Sequence, residues 1–151
     1  MKPANFARIL LVTLLLAGYS AWVLHTRARP NGLPIGDRAV LDIPLLGLAD
    51  VKPLWEQDST LFVDVRSAFD FDVGHIAGAV NLPYEEFDAR WDLLKPRLER
   101  AVTVVVYCKS VDCGTSLWSA LRLRQRGLAR VVIYPEGWNE WFNRGLPVGR
   151  S

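Results

Sequence analysis

The sequence predicts an α/β domain in which a parallel sheet of about five strands is sandwiched between helices, preceded by one apolar N-terminal helix. Three observations predict it. The short β-branched runs 61–65 (LFVDV), 102–107 (VTVVVY) and 131–134 (VVIY) alternate with stretches of helical length and periodicity, as strands buried on both faces do. The 151-residue chain has room for one compact domain and a short appendage. Mean hydropathy is +0.12 and half the residues are hydrophobic, an excess that suggests a segment placed in lipid.

That segment is 9–24 (ILLVTLLLAGYSAWVL), sixteen residues without a charge between Lys2 and Arg8 on one side and His25, Arg27 and Arg29 on the other. Its length falls between the apolar region of a secretory signal, about 7–15 residues, and that of a spanning helix, about 17–25. Tyr19-Ser20-Ala21 puts a large residue where signal cleavage needs a small one, and Trp22 suits a membrane interface. The favoured reading of residues 1–25 is therefore an uncleaved single-pass transmembrane anchor, with a cleaved signal as the alternative. A buried soluble helix would need apolar cover on every side, more than so small a domain supplies. The flanking charges nearly balance, and the short basic head points to a signal-anchor that leaves the domain on the extracytoplasmic (periplasmic) side. Residues 26–40, with Pro30-Asn31-Gly32, form a linker, and 41–151 carry the globular pattern.

Within that domain an extended stretch 41–48 precedes a helix over 49–57 and the strand 61–65. Gly74, Gly78 and Pro83 punctuate a winding region that holds a short strand at 79–82. A helix over 84–99, broken near Pro96, leads to the strand 102–107. A helix over 116–126 closes at Gly127, the strand 131–134 follows, and the last helix covers 137–143. Trp138 and Trp141 lie three apart, share a helix face and are expected to fill core. Arg122, Arg124, Arg126 and Arg130 are expected on a solvated helix face.

Charge and cysteine content exclude several classes. The 18 basic and 16 acidic residues are interspersed, with no basic run beside an aromatic platform, so nucleic acid is not an expected partner. Two cysteines are too few for a disulfide-stapled mini-fold, and with His25 and His75 distant in sequence no metal site is expected.

Chemistry concentrates where the strand 102–107 ends at Cys108. A loop of Lys109, Ser110, Val111, Asp112, Cys113, Gly114 and Thr115 leads from it into a helix, at the carboxyl edge where open α/β sheets bind ligands. Loop N–H groups and the helix dipole favour an anion there and lower a thiol pKa. A thiolate so placed can attack the outer sulfur of a sulfane donor, and the persulfide formed is again an anion suited to the same cradle. Cys113 is either a resolving thiol or a plain loop residue. Four intervening residues allow the Cα separation of about 4.4–6.8 Å that a disulfide requires.

Four motifs accompany this loop in order: Asp64-Val65-Arg66; residues 74–83 (GHIAGAVNLP); Tyr107-Cys108; and residues 135–141 (PEGWNEW) with Gly145-Leu146-Pro147. Over about ninety residues the chain thereby resembles the rhodanese family of sulfurtransferases. The resemblance implies the rhodanese-like three-layer sandwich, Cys108 as the sulfur-carrying nucleophile, and Asp64, Arg66 and His75 as structural support of the loop. It also implies a small sulfur-containing anion or persulfide as donor, cyanide or a thiol as acceptor, and neither metal nor organic cofactor. The loop departs from the family pattern: it is longer, lacks arginine and holds a second cysteine, with Lys109 its only basic side chain. Phosphatases of this fold need an arginine six positions after the cysteine, where Gly114 stands, so phosphate chemistry is disfavoured. Two further readings stay open. One is a thiol–disulfide module of Cys108 and Cys113 served by a reductant protein; the other is a catalytically inactive rhodanese-like binding domain beside a membrane partner.

Overall fold

The computed structural model describes residues 42–150. Along them run α1 (Leu48–Trp55), β1 (Thr60–Asp64), α2 (Ala68–Val73), β2 (His75–Ile76), β3 (Val80–Asn81), a 3-10 turn (Tyr84–Glu86), α3 (Phe87–Arg100), β4 (Thr103–Tyr107), α4 (Thr115–Gln125), β5 (Val131–Tyr134), α5 (Gly137–Asn143) and β6 (Val148–Gly149). Four strands form a parallel sheet in the order β3-β1-β4-β5, while β2 and β6 pair antiparallel in a small second sheet. The fifth strand expected over 41–48 shrinks to one parallel bridge, Leu45 with Ile133. Pro44 has no N–H to continue a ladder, and α1 begins at Leu48.

Strand β4 explains the layers. All five of its residues are buried, and the pleat sends alternate side chains to opposite faces. Val104 and Val106 pack with Leu94 and Leu98 of α3 and Leu123 of α4. Val105 and Tyr107 pack with Val51 of α1 and Trp141 of α5. An unbroken apolar run is what a strand needs when helices cover both faces.

Three helix expectations need correction or sharpening. The break near Pro96 does not occur: α3 runs through it. Trp91, Leu94 and Leu98 are buried on both sides of the proline, and this anchoring outweighs the lost hydrogen bond and ring clash. Helix α4 closes as anticipated at Gly127, where φ is +94°. The Gly127 N–H donates to the Arg124 carbonyl (3.0 Å) and the Leu128 N–H to the Leu123 carbonyl (3.2 Å), the paired bonds of a Schellman motif. Arg122 and Arg126 do not form a free solvated face. Both donate to Asp88, at 2.7 and 2.8 Å, with their guanidinium groups over Phe87 (4.1 Å) and Trp91 (4.8 Å). The flat cation stacks on a ring while its edge reaches the carboxylate, which ties α4 to α3.

The anchor or signal expected over 1–25 and the linker over 26–40 lie outside the described residues. Among the described residues no helix is long and apolar enough to cross a membrane.

Trp141 is fully buried, 5.7 Å from Trp55 and 6.0 Å from Phe62 between ring centroids, with its Nε1–H on the Pro147 carbonyl at 2.8 Å. Trp141→Ala is expected to destabilise the domain by about 3–5 kcal/mol. Leu93→Ala, at an exposed position of α3, should stay within about 0.5 kcal/mol of the unaltered protein. Urea unfolding midpoints measure both.

Candidate active site

The parallel register sets Asn81, Asp64, Tyr107 and Tyr134 side by side across the carboxyl edge of the sheet. Asp64, at the end of β1, is fully buried. It accepts from the Arg66 backbone N–H (2.9 Å), from Nε (3.0 Å) and from Nη2 (2.6 Å). Burial alone would lower the Arg66 pKa, but the Asp64 carboxylate more than offsets it, and the guanidinium stays charged. Its Nη2 also donates to the Gly74 carbonyl at 2.7 Å, and its face lies 4.8 Å from the Trp138 ring centroid.

Trp138 extends this network to the loop. Its ring lies 3.0 Å from where a Cβ on Gly74 would sit, and its backbone N–H donates to the Cys108 carbonyl at 2.9 Å. The Asn139 N–H donates to the Lys109 carbonyl at 3.0 Å. The base of the loop is therefore gripped by the start of α5. This corrects the expectation that both tryptophans fill core: Trp141 does, whereas Trp138 is half-buried between Arg66, Gly74 and the loop. Gly137, with φ +58°, makes the turn that allows it, and a Cβ there would overlap the Cys108 carbonyl oxygen.

Asn81 is a supporting residue that the motif contained but the sequence reading did not single out. Its Nδ2 donates to the carbonyls of Asp64 (3.1 Å) and Arg66 (3.0 Å). The available signal was an amide inside an apolar strand, a residue type that needs partners when buried. His75 belongs to the scaffold. Its Nδ1–H donates to the Phe71 carbonyl at 2.8 Å, its ring stacks on Phe71 at 3.7 Å, and it pairs with Gly149 in the small sheet. Tyr107 links that sheet to β4, since its hydroxyl accepts from the Ile76 N–H at 3.1 Å. Burial, then the nearby Asp64 carboxylate, push the Tyr107 pKa well above its ordinary value.

Cys108 follows Tyr107 and turns to the opposite face of the sheet, into the core with Val106 and Ala120. It is joined to Cys113 by a disulfide with Cα atoms 6.1 Å apart. The Thr115 hydroxyl lies 3.3 Å from Cys108 Sγ and 3.0 Å from Cys113 Sγ. The Cys113 N–H donates to the Ser110 carbonyl at 3.0 Å, and Ser116 Oγ donates to the Cys113 carbonyl at 3.2 Å. Lys109, Val111, Asp112 and Gly114 are exposed, while Ser110, Cys113 and Thr115 are half-buried. The structure thus brings both cysteines and Thr115 together, with Asp64 and Arg66 beneath the loop base. A cavity of about 360 Å³ lined by Trp55, Thr60, Arg97 and Arg100 lies at the other end of the strands, away from the loop.

Fold and site define an α/β domain with a cysteine loop at the carboxyl edge of its central strand. A family model of the rhodanese-like domain matches residues 48–144. The chain belongs to the rhodanese-like domain family. It is 29% identical over 95 residues to an uncharacterized protein of Buchnera aphidicola subsp. Schizaphis graminum, covering 63% of this chain and 62% of that one. It is 27% identical over 148 residues to the tRNA uridine(34) hydroxylase of Sodalis glossinidius, covering 87% of this chain and 40% of that protein. The chain therefore spans less than two thirds of the length of either relative. Among solved structures, the rhodanese-related protein of Thermoplasma volcanium matches with a TM-score of 0.58 and 27% identity, over 72% of this chain and 99% of that one.

Two measurements probe this scaffold. Gly137→Ala, with its left-handed backbone and the overlap at Cys108, is expected to destabilise by at least about 2 kcal/mol in urea unfolding. The native state holds Tyr107 neutral, with a pKa raised above the ordinary 10.0. Its contribution to stability is therefore intact below pH 10.0 and is lost as pH rises toward the higher folded value. Urea midpoints should fall above that pH, less steeply in Tyr107→Phe.

Proposed function

We propose that the domain is a sulfurtransferase in which Cys108 carries sulfane sulfur as a persulfide, taken from thiosulfate or a persulfide donor and passed to cyanide or a thiol. The observation that carries this reading is the site of Cys108, at the carboxyl end of β4 and the start of a loop that enters the N-terminus of α4. Loop N–H dipoles and the helix terminus favour an anion at each stage. The Cys108 thiolate attacks the outer sulfur of thiosulfate, the donor S–S bond breaks, sulfite leaves, and a Cys108 persulfide anion remains. A nucleophilic acceptor then takes the outer sulfur and returns the thiolate. Lys109 supplies a point charge for an anionic donor.

The disulfide favours a second reading in which the same persulfide is resolved internally. The Cys113 thiolate attacks Cys108 Sγ, hydrosulfide leaves with the electron pair, and the Cys108–Cys113 disulfide forms. A dithiol reductant protein would restore both thiols and become a disulfide itself.

Cys113→Ser keeps Cys108 free and separates these readings from an inactive binding domain. After thiosulfate treatment its Cys108 peptide should gain the mass of one sulfur atom, and Cys108→Ser should gain none. No gain on Cys108 with thiosulfate or a persulfide donor would overturn the proposal. In the unaltered reduced protein, hydrosulfide release together with loss of both free thiols supports internal resolution.

A further inference from the structure

The closed loop has a direction. Cys108 is 4% exposed and packed in the core at the end of β4, whereas Cys113 is half-buried in a turn whose outer residue Val111 is 64% exposed. Thiol–disulfide exchange places attacking, attacked and leaving sulfurs in line, and its rate depends on access to the attacked sulfur. Cys113 packs against the edge of the same cluster but is the less buried of the two, so a thiolate arriving from solvent meets it first. While the loop is closed by the disulfide, Cys108 is the less accessible sulfur. The Thr115 hydroxyl touches both sulfurs, at 3.3 Å to Cys108 and 3.0 Å to Cys113. Its single proton turns to whichever sulfur carries charge, because charge-assisted hydrogen bonds are the stronger ones.

We propose that an external thiol reopens the disulfide at Cys113, and that Cys108 leaves as a thiolate stabilised by the Thr115 hydroxyl. In this step the incoming thiolate forms a bond to Cys113 Sγ, the Cys108–Cys113 bond breaks, and its electron pair stays on Cys108. A second thiol then removes the first from Cys113 as a disulfide, so two thiols are oxidised while the pair is reduced. The inference rests on the reading of Cys108 as the sulfur carrier and adds the order of events. The carrier emerges as a free thiolate while Cys113 is still capped, so sulfur can be loaded before the loop recloses. Thr115 is thereby a catalytic residue of the opening step, and the partner is a thiol able to reach the outer face of the turn.

The test uses the oxidised full chain, excess reduced glutathione with iodoacetamide present, acid quenching and trypsin. Cleavage after Arg100, Lys109 and Arg122 puts Cys108 in peptide 101–109 and Cys113 in peptide 110–122. Early in the reaction glutathione should sit on 110–122 and the alkyl group on 101–109, in about tenfold excess over the reverse. Equal or greater glutathione on 101–109 overturns the order. Thr115→Val should slow opening about tenfold and raise the pH midpoint of Cys108 alkylation by about one unit, while Thr115→Ser keeps both. Opening of Thr115→Val at the unaltered rate overturns the role of Thr115. Because the mapping uses no sulfane donor, it can fail while persulfide loading of Cys113→Ser succeeds, and the reverse.

Discussion

The buried pair of Asp64 and Arg66 is the interaction on which the loop depends. Removing two charges from water costs several kcal/mol per ion before their attraction offsets it, so such a pair contributes orientation more surely than net stability. Orientation is what this one supplies. One arginine answers the carboxylate of β1 with its backbone N–H, Nε and Nη2, holds the turn before β2 through the Gly74 carbonyl, and offers its flat face to Trp138. Trp138 in turn holds the carbonyl of Cys108. A lysine could carry the charge but not the planar fork or the stacked face.

Strand alternation then separates the polar network from the cysteine. Tyr107 and Tyr134 turn toward the layer of α1 and α5, where the Tyr134 hydroxyl donates to Glu140 at 3.0 Å. Burial and that carboxylate raise the Tyr134 pKa. Cys108, one residue further along, turns the other way, toward the layer of α3 and α4. One edge of one sheet therefore holds a polar network on one side and the Cys108 sulfur on the other.

The loop handles charge with modest means. It has no guanidinium to clamp an oxyanion bidentately, only one lysine, the backbone, a helix terminus and a threonine hydroxyl shared by two sulfurs. Without a guanidinium, the loop offers no planar fork for bidentate contact with an oxyanion, and its side-chain charge is the single point charge of Lys109.

Strands β1, β4 and β5, helix α5 and the place of Cys108 at a strand end could be read from the chain alone, because these rest on local signals: β-branched runs, helical periodicity and glycine punctuation. Helix α2 was not legible. None of its six residues is buried, so it carries no apolar stripe, and it is held by the Ser67 cap that accepts the Asp70 N–H. Strands β2 and β6 are two residues each and pair across most of the domain, beyond any local pattern. Only tertiary structure could decide that Trp141 fills core while Trp138, on the same short helix, reaches Arg66 and the loop, since that depends on where α5 starts relative to β4. The same holds for the cysteines. Their spacing permitted a disulfide, but the fixed end of β4 and the fixed start of α4 hold the two sulfurs within bonding distance, with Thr115 against both.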